Sequence, residues 1–401
     1  MKLRYKAATK TGKIEQGLID ANDINAAALY LRSKDLMPIH ILKEQENPIS
    51  KLLPMFSKVK STDLVIFTRQ LSSMLSSGLT LMRALAILKD QVQSAAMQEV
   101  VNSIINDVEE GKPFSSSIAK YPAVFSTIYV SLIKAGEASG LLDKVLSRLA
   151  DNLEKEAKLK GTIKSALMYP VIVIILMVVV MFIMMIFVIP QLTVLYQNLN
   201  VPLPLPTQIV IGFSNFIQTF WPIMLILLVG GVVLFRRWHK TIEGQLITDS
   251  LILKLPVFGK LIRQTILAEF SRTFGLLVGT GTLVVDALLQ TADTAGNIHY
   301  RNAIKDVSKQ VEKGVTIGDA MSVYPLFPSI LIQLVKIGEQ TGKVDESLAK
   351  ASEYFERDVD QTVKTLTTAM EPFIMVVLGI GVAFLIISVI TPIYSLISSI
   401  Q

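Results

Sequence analysis

The seven residues Lys134-Ala135-Gly136-Glu137-Ala138-Ser139-Gly140 come back as Lys336-Ile337-Gly338-Glu339-Gln340-Thr341-Gly342. The offset is 202 residues, and it persists downstream. Asp143, Leu146, Glu154, Met168, Pro170 and Pro190 recur as Asp345, Leu348, Glu356, Met370, Pro372 and Pro392. Upstream the offset is 203. Leu64, Phe67, Arg69, Gly78, Ala84, Leu85, Glu109, Gly111, Tyr121 and Pro122 recur as Leu267, Phe270, Arg272, Gly281, Ala287, Leu288, Glu312, Gly314, Tyr324 and Pro325. A repeat constrains the architecture before any element is assigned. Here one unit, a polar helical block followed by an apolar helix, is used twice.

The placement of charge says where the two copies sit. The chain has 401 residues, long enough for two or three domains, and 51% of them are hydrophobic. It contains no Cys, which removes disulfides, thiolate catalysis and thiolate metal sites together. The net charge of +6 is not spread evenly. All 39 basic and all 33 acidic residues lie in 1–164 and 236–371, so 165–235, 71 residues in a row, carry none. Residues 372–401 carry none either. A bilayer core demands such a gap, because a charge at its centre costs about 2.5 kcal/mol or more.

Three membrane spans follow, at 168–190, 209–235 and 371–391, each long enough for a hydrocarbon layer of roughly 30 Å. The second contains Trp221-Pro222 and is expected to tilt or kink. Lys155, Lys158, Lys160 and Lys164 precede the first span, and Arg236, Arg237 and Lys240 follow the second. The loop 191–208, with Pro202, Pro204 and Pro206, is uncharged, as is the tail 392–401. The positive-inside rule then puts both charged blocks in the cytoplasm and the loop and C-terminus outside. An unrepeated second span is required, because each copy crosses outward once.

Residues 1–42 read as a small α+β module. Two strands, Leu3–Ala8 and Ile14–Ile19, flank a Thr11-Gly12 turn. A helix capped by Asn22 or Asp23 then runs to about Ser33, and Met37–Leu42 supplies a third strand. No early apolar run marks a signal peptide. Residues 43–60, with Pro48 and Pro54, read as a linker. Residues 61–165 and 236–370 read as helical bundles of like fold. Leu64, Phe67, Leu71 and Met74 form one apolar stripe, and Leu267, Phe270, Phe274 and Leu277 repeat it. Block one holds 12 basic and 11 acidic residues, and 236–371 holds 16 of each, a balance that argues against nucleic acid. The fold class is thus an all-α membrane protein: two repeated cytoplasmic bundles, three transmembrane helices and a small N-terminal α+β module.

No catalytic set emerges. Gly338 to Lys343 superficially suggests a phosphate loop, but it has three residues between its glycines instead of four, and Val344 stands where Ser or Thr is needed. A turn at Gly136, Gly140, Gly338 and Gly342, leading into a helix served by Asp143 or Asp345, is the better reading. His40, His239 and His299 have no metal spacing. Glu137 and Glu339 are the sharper candidates. Each is open to an ion pair, with Arg69 and Arg272 as partners, to a helix cap, to a metal, or to contact with another protein. The structural roles weigh more, since buried charges are normally paired. Glu154/Glu156 and Asp358/Asp360 read as solvated faces. Pro170 and Pro372 sit at equivalent span entrances, where a first-turn Pro sets an angle. Gly379, Gly381 and Ala383 give the third span a small-residue surface for helix contact.

The repeated Gly-Glu-x-x-Gly turn, the upstream Tyr-Pro pair and the Pro-led spans resemble the type II secretion F protein and type IV pilus assembly platform family. The leading pattern Tyr5-x-Ala7, Gly12, Gly17, Ala26-x-x-Leu29 is similar to that family's first module. The resemblance covers essentially the whole chain; Glu371 stands where the first copy has Tyr169. It implies a bacterial inner-membrane protein without cofactor or catalysis. Its implied partners are a cytoplasmic hexameric ATPase, pilins or pseudopilins, inner-membrane assembly proteins and further copies of itself. A repeat-built transporter is the competing class, although three spans with no acidic or basic residue beyond Glu371, at the mouth of the third, offer it no relay.

Overall fold

The computed structural model describes residues 2–9, 14–20, 24–34, 36–43, 59–188, 190–191, 194, 205–256 and 258–400. Two compact units divide the chain, Met1–Val59 and Lys60–Gln401. In the first, β1 (Lys2–Thr9) pairs antiparallel with both β2 (Ile14–Asp20) and β3 (Leu36–Lys43), giving sheet order β2-β1-β3. One helix, α1 (Ile24–Ser33), buries Ala27 and Leu31, and Ala7 of β1 is buried too. The expected Thr11-Gly12 turn and most of the expected linker lie outside the described residues.

The second unit is helical. Its first copy comprises α2 (Ser61–Ser76), α3 (Leu81–Gln91), α4 (Ala95–Glu109), α5 (Phe114–Ile118), α6 (Thr127–Ser139) and α7 (Leu142–Ile183). A π-helical turn, Met184–Val188, extends α7. After α8 (Leu205–His239) and α9 (Ile242–Lys254), the second copy follows. It comprises α10 (Phe258–Gly279), α11 (Val284–Thr294), α12 (Ile298–Glu312), α13 (Ile317–Ser322), α14 (Ser329–Thr341) and α15 (Val344–Ile400).

The sequence dictates the glycine stops in the same way twice. Gly78 and Gly281 end their helices with φ of +86° and +85°, where a β-carbon is disfavoured. The bonds match as well: Leu79 N–H donates to Met74 O, and Thr282 N–H to Leu277 O, both at 3.1 Å. Ser94, Ser126, Asn297 and Thr316 cap the helices that follow them through side-chain oxygens. The predicted stripes face inward, with Phe67, Leu71, Phe270, Phe274 and Leu277 all buried.

Bundle and span are one continuous helix in each copy, which corrects the reading of the prolines. Pro170 lies deep inside the 42-residue α7, and Pro372 inside the 57-residue α15. Neither occupies a first turn. Nothing between the blocks and the apolar runs carries a cap or a left-handed glycine, so nothing stops the helix. Each Pro therefore removes one interior hydrogen bond, a loss that a membrane helix tolerates. The helix also continues through Pro392 to Ile400, where a tail was expected, and α8 is longer than the expected span at both ends.

Among the described residues three helices are long and apolar enough to cross a bilayer: Leu142–Val188, Pro222–His239 and Val344–Ala383. Spans one and three meet where expected on the small-residue side, since a β-carbon at Gly381 would lie 3.6 Å from Met177 Sδ. The two copies also meet. Arg148 on α7 donates from Nη1 to Gly279 O on α10 at 2.5 Å. A cleft of about 300 Å³ lies between them, lined among others by Tyr129, Glu156, Lys160, Glu269 and Arg272.

Candidate functional site

The repeated glutamates are built by a turn and a short helix in each copy. Helix α6 ends at Gly140 and α14 at Gly342, both with φ of +69°. Leu141 N–H donates back to Gly136 O at 2.9 Å, and Lys343 N–H to Gly338 O at 2.8 Å, so the chain reverses tightly into the next long helix. The first glycine of each motif makes that closeness possible. A β-carbon on Gly136 would stand 3.0 Å from Val145 Cβ, and one on Gly338 only 2.9 Å from Val344 Cα.

Each carboxylate closes the N-terminus of a short helix. Glu137 Oε1 accepts from Phe114 N–H at 2.7 Å, and Oε2 accepts from Ser115 N–H at 3.1 Å and Ser115 Oγ at 2.6 Å. Glu339 accepts from Ile317 N–H at 2.5 Å and Gly318 N–H at 2.9 Å. Phe114 and Ser115 are the 203-offset counterparts of Ile317 and Gly318. Two otherwise unpaired donors are thus satisfied by an anion at the positive end of a helix. In the second copy Lys336 crosses Gly318 to reach Asp319 at 2.7 Å, and a β-carbon there would meet Lys336 Cγ at 2.3 Å. That ion pair holds the Asp319 carboxyl below its ordinary range.

Arg69 and Arg272 do not reach these glutamates, a correction to the expected pairing. Arg69 grips Glu154 through two bonds of 2.5 and 2.6 Å, and Asp151 at 2.5 Å. Hydrogen bonding from Arg69 lowers the Glu154 carboxyl below its ordinary value. Arg272 pairs with Glu356 at 3.0 Å. Glu154 lies on a solvated face, 45% exposed, and Arg69 pairs with it there. It and Glu356 recur at the same 202 offset as the glutamates of the turn, and that recurrence was the signal for their role. Asp358 accepts from Gln264 Nε2, and Glu156 pairs with Lys160. Each arginine ties the first helix of its copy to the last, the helix that enters the bilayer. The Arg69 side chain is 34% exposed and that of Arg272 only 7%.

Among the described residues no group of three or more His, Asp or Glu is arranged to hold a metal ion. Glu137 and Glu339 are occupied by backbone donors, and Glu154 and Glu356 by arginine. They close turns and clamp helices, which is the chemistry of a rigid joint.

A duplicated bundle whose closing helix runs on into the bilayer defines a multi-pass membrane scaffold. The family model "Type II secretion system (T2SS), protein F" matches residues 67–190 and again 270–392. That family's N-terminal domain matches residues 4–43. The chain is 36% identical to "Type IV pilus assembly protein PilC" of Thermus thermophilus over 401 residues, 99% of this chain and 98% of the relative. It is 35% identical to "Type IV pilus assembly protein TapC" of Aeromonas hydrophila over 98% of this chain and 95% of the relative. "Type II secretion system protein F" of Pseudomonas aeruginosa is 26% identical over 98% of each chain. The chain belongs to the type II secretion system protein F family.

Proposed function

We propose that the chain is the inner-membrane platform of a type IV pilus or type II secretion machine. In this reading it couples a cytoplasmic hexameric assembly ATPase to extraction of pilins or pseudopilins from the bilayer. One observation carries the proposal. In each copy the helix that closes the bundle is the helix that enters the membrane, without a break. A push or torque on the bundle is then delivered directly to the span, because a helix transmits displacement along its axis. The arginine clamps and glutamate caps keep each bundle from deforming first.

Residues 61–165 and 236–370 are the cytoplasmic lobes in this reading, and the 191–208 loop and the C-terminus are external. The lobes receive work; the chain performs no catalysis of its own. Spans one and three guide the pilin helix, assisted by other inner-membrane assembly proteins and further copies of the chain. The spans carry no charge beyond Glu371 at the mouth of the third, which gives a transporter no ionisable relay. Charge reversals scanned across the surface of each lobe test the proposal. At least one cluster should abolish co-purification of the ATPase while thermal unfolding stays unchanged. Retained binding across the whole scan contradicts it.

A further inference from the structure

Among the described residues helix α9 has no counterpart in the first copy; it stands between α8 and the first helix of the second bundle. We propose that α9 lies on the membrane surface, with Ile247 and Leu251 in the boundary between headgroups and acyl chains. Arg236, Arg237 and Lys240 then contact the phosphates of anionic lipids.

Four observations converge on this assignment. The first is continuity with the span. Phe235 and Trp238 end α8 with exposed rings packed 6.1 Å apart, and α9 begins at Ile242. An amphipathic ring such as that of Trp238 favours the headgroup level. The second is a rigid elbow. Thr241 Oγ1 donates to Trp238 O at 2.7 Å and accepts from Gly244 N–H at 3.1 Å. Gly244 is pressed so close that a β-carbon would stand 2.0 Å from Trp238 O. The direction of α9 is therefore fixed by the end of the span.

The third is the division of faces. Asp249 and Leu253 point into the bundle, where Asp249 Oδ2 accepts from Ile298 N–H at 2.8 Å and Leu253 is buried. Ile247 and Leu251 are each two residues away, which at about 100° per residue turns them about 160° to the opposite face. They are 59% and 61% exposed, and Ile242 is 73% exposed. The fourth is charge. Residues 236–263 hold Arg236, Arg237, Lys240, Lys254, Lys260 and Arg263 against Glu243 and Asp249, and Asp249 is spent as an internal cap. An apolar face rimmed by cations at the foot of a span fits an anionic lipid surface.

The chain has no native Cys, so single-cysteine spin labels report position directly. Full-length Ile247→Cys, Leu251→Cys and, as a bundle reference, Lys309→Cys are labelled and reconstituted into phosphatidylethanolamine vesicles containing phosphatidylglycerol. The labels at 247 and 251 should favour collision with oxygen over a water-soluble nickel complex, at depths of about 5–10 Å. The label at 309 should favour nickel. Combining Arg236→Gln, Arg237→Gln and Lys240→Gln should make the first two labels shallower in these vesicles and leave them unmoved in phosphatidylcholine alone. Nickel access at 247 and 251 equal to that at 309 overturns the assignment. So does shielding from both reagents with spin–spin broadening, which would mean that a second copy covers the face.

Discussion

The two copies solve one packing problem with opposite residues. In the first, Tyr129 on α6 fills the core and its hydroxyl meets Thr68 Oγ1 at 3.1 Å, while Met97 on α4 is buried too. In the second, the aromatic ring has changed helices. Tyr300 takes the place of Met97, and Leu331 that of Tyr129. All four are buried, so volume is conserved across the pair rather than at either site. Phe67 packs on Phe125 at 6.2 Å between centroids, and Phe270 on Phe327 at 5.8 Å, so the surrounding frame has not moved. The exchange has a polar consequence. Ser271, the counterpart of Thr68, is buried and has no hydrogen-bond partner among the described residues, because Leu331 offers no hydroxyl. Tyr300 instead donates to Leu326 O at 3.2 Å, and burial pushes its hydroxyl up to about 12. A repeat preserves shape first and polar detail second.

This comparison sets an order of effects. The largest falls where the copies agree. Gly338→Val and Gly136→Val force a side chain into backbone and side-chain atoms at 2.9 to 3.0 Å. Each should destabilise by about 3 kcal/mol, with the larger loss at Gly338, where the obstacle is backbone. Thermal unfolding in detergent measures this, and wild-type melting of both variants would refute the turn geometry.

Arg272→Ala should cost about 2–3 kcal/mol, because it leaves Glu356 unpaired at a site that the other copy covers. Arg69→Ala, at a more exposed clamp, should cost under about 1 kcal/mol. Equal losses would mean that contact between the copies adds nothing to the clamp. Glu339→Ala and Glu137→Ala should each cost about 1–2 kcal/mol through the loss of a charged cap, with faster amide exchange confined to residues 114–118 or 317–322. Thr68→Val should cost about 1 kcal/mol by stranding the Tyr129 hydroxyl. Ser271→Ala should change stability by no more than about 0.5 kcal/mol, since no bond is lost.

The smallest effect is a pH slope. Glu269, in the cleft between copies, stands where the first copy has Ile66. Burial is the main cause that raises its carboxyl above 4.5, against the opposing pull of Lys160. Folding therefore takes up a proton at pH values above 4.5, and this group subtracts stability as pH rises through its raised folded-state range. Glu269→Gln should melt higher than the parent at pH 7 and lose that advantage toward a pH of about 4. An advantage independent of pH would place its origin elsewhere than in the charge.

Much of the fold was legible because duplication doubles each signal. The stripes at Phe67 and Phe270, the glycine stops at Gly78 and Gly281, and the uncharged gap at 165–235 each follow from composition and spacing. What stayed hidden was tertiary. Which carboxylate meets Arg69 depends on how α2 lies along α7, and no local spacing encodes that. Glu154 was on the page as a recurring residue, but its partner 85 residues away was not. The continuity of bundle and span was missed for the opposite reason. Pro170 and Pro372 look like boundaries locally, yet the absence of any stop signal around them decides.

The account depends on both lobes facing the same compartment, and labelling the Cys-free chain in intact cells tests this most directly. Single cysteines replacing Lys89 in the first copy and Lys309 in the second are treated with a membrane-impermeant maleimide before and after the inner membrane is opened. Both should stay unlabelled in intact cells and react together on opening. Reaction of one position and not the other in intact cells would put the two copies on opposite sides of the bilayer and contradict the account.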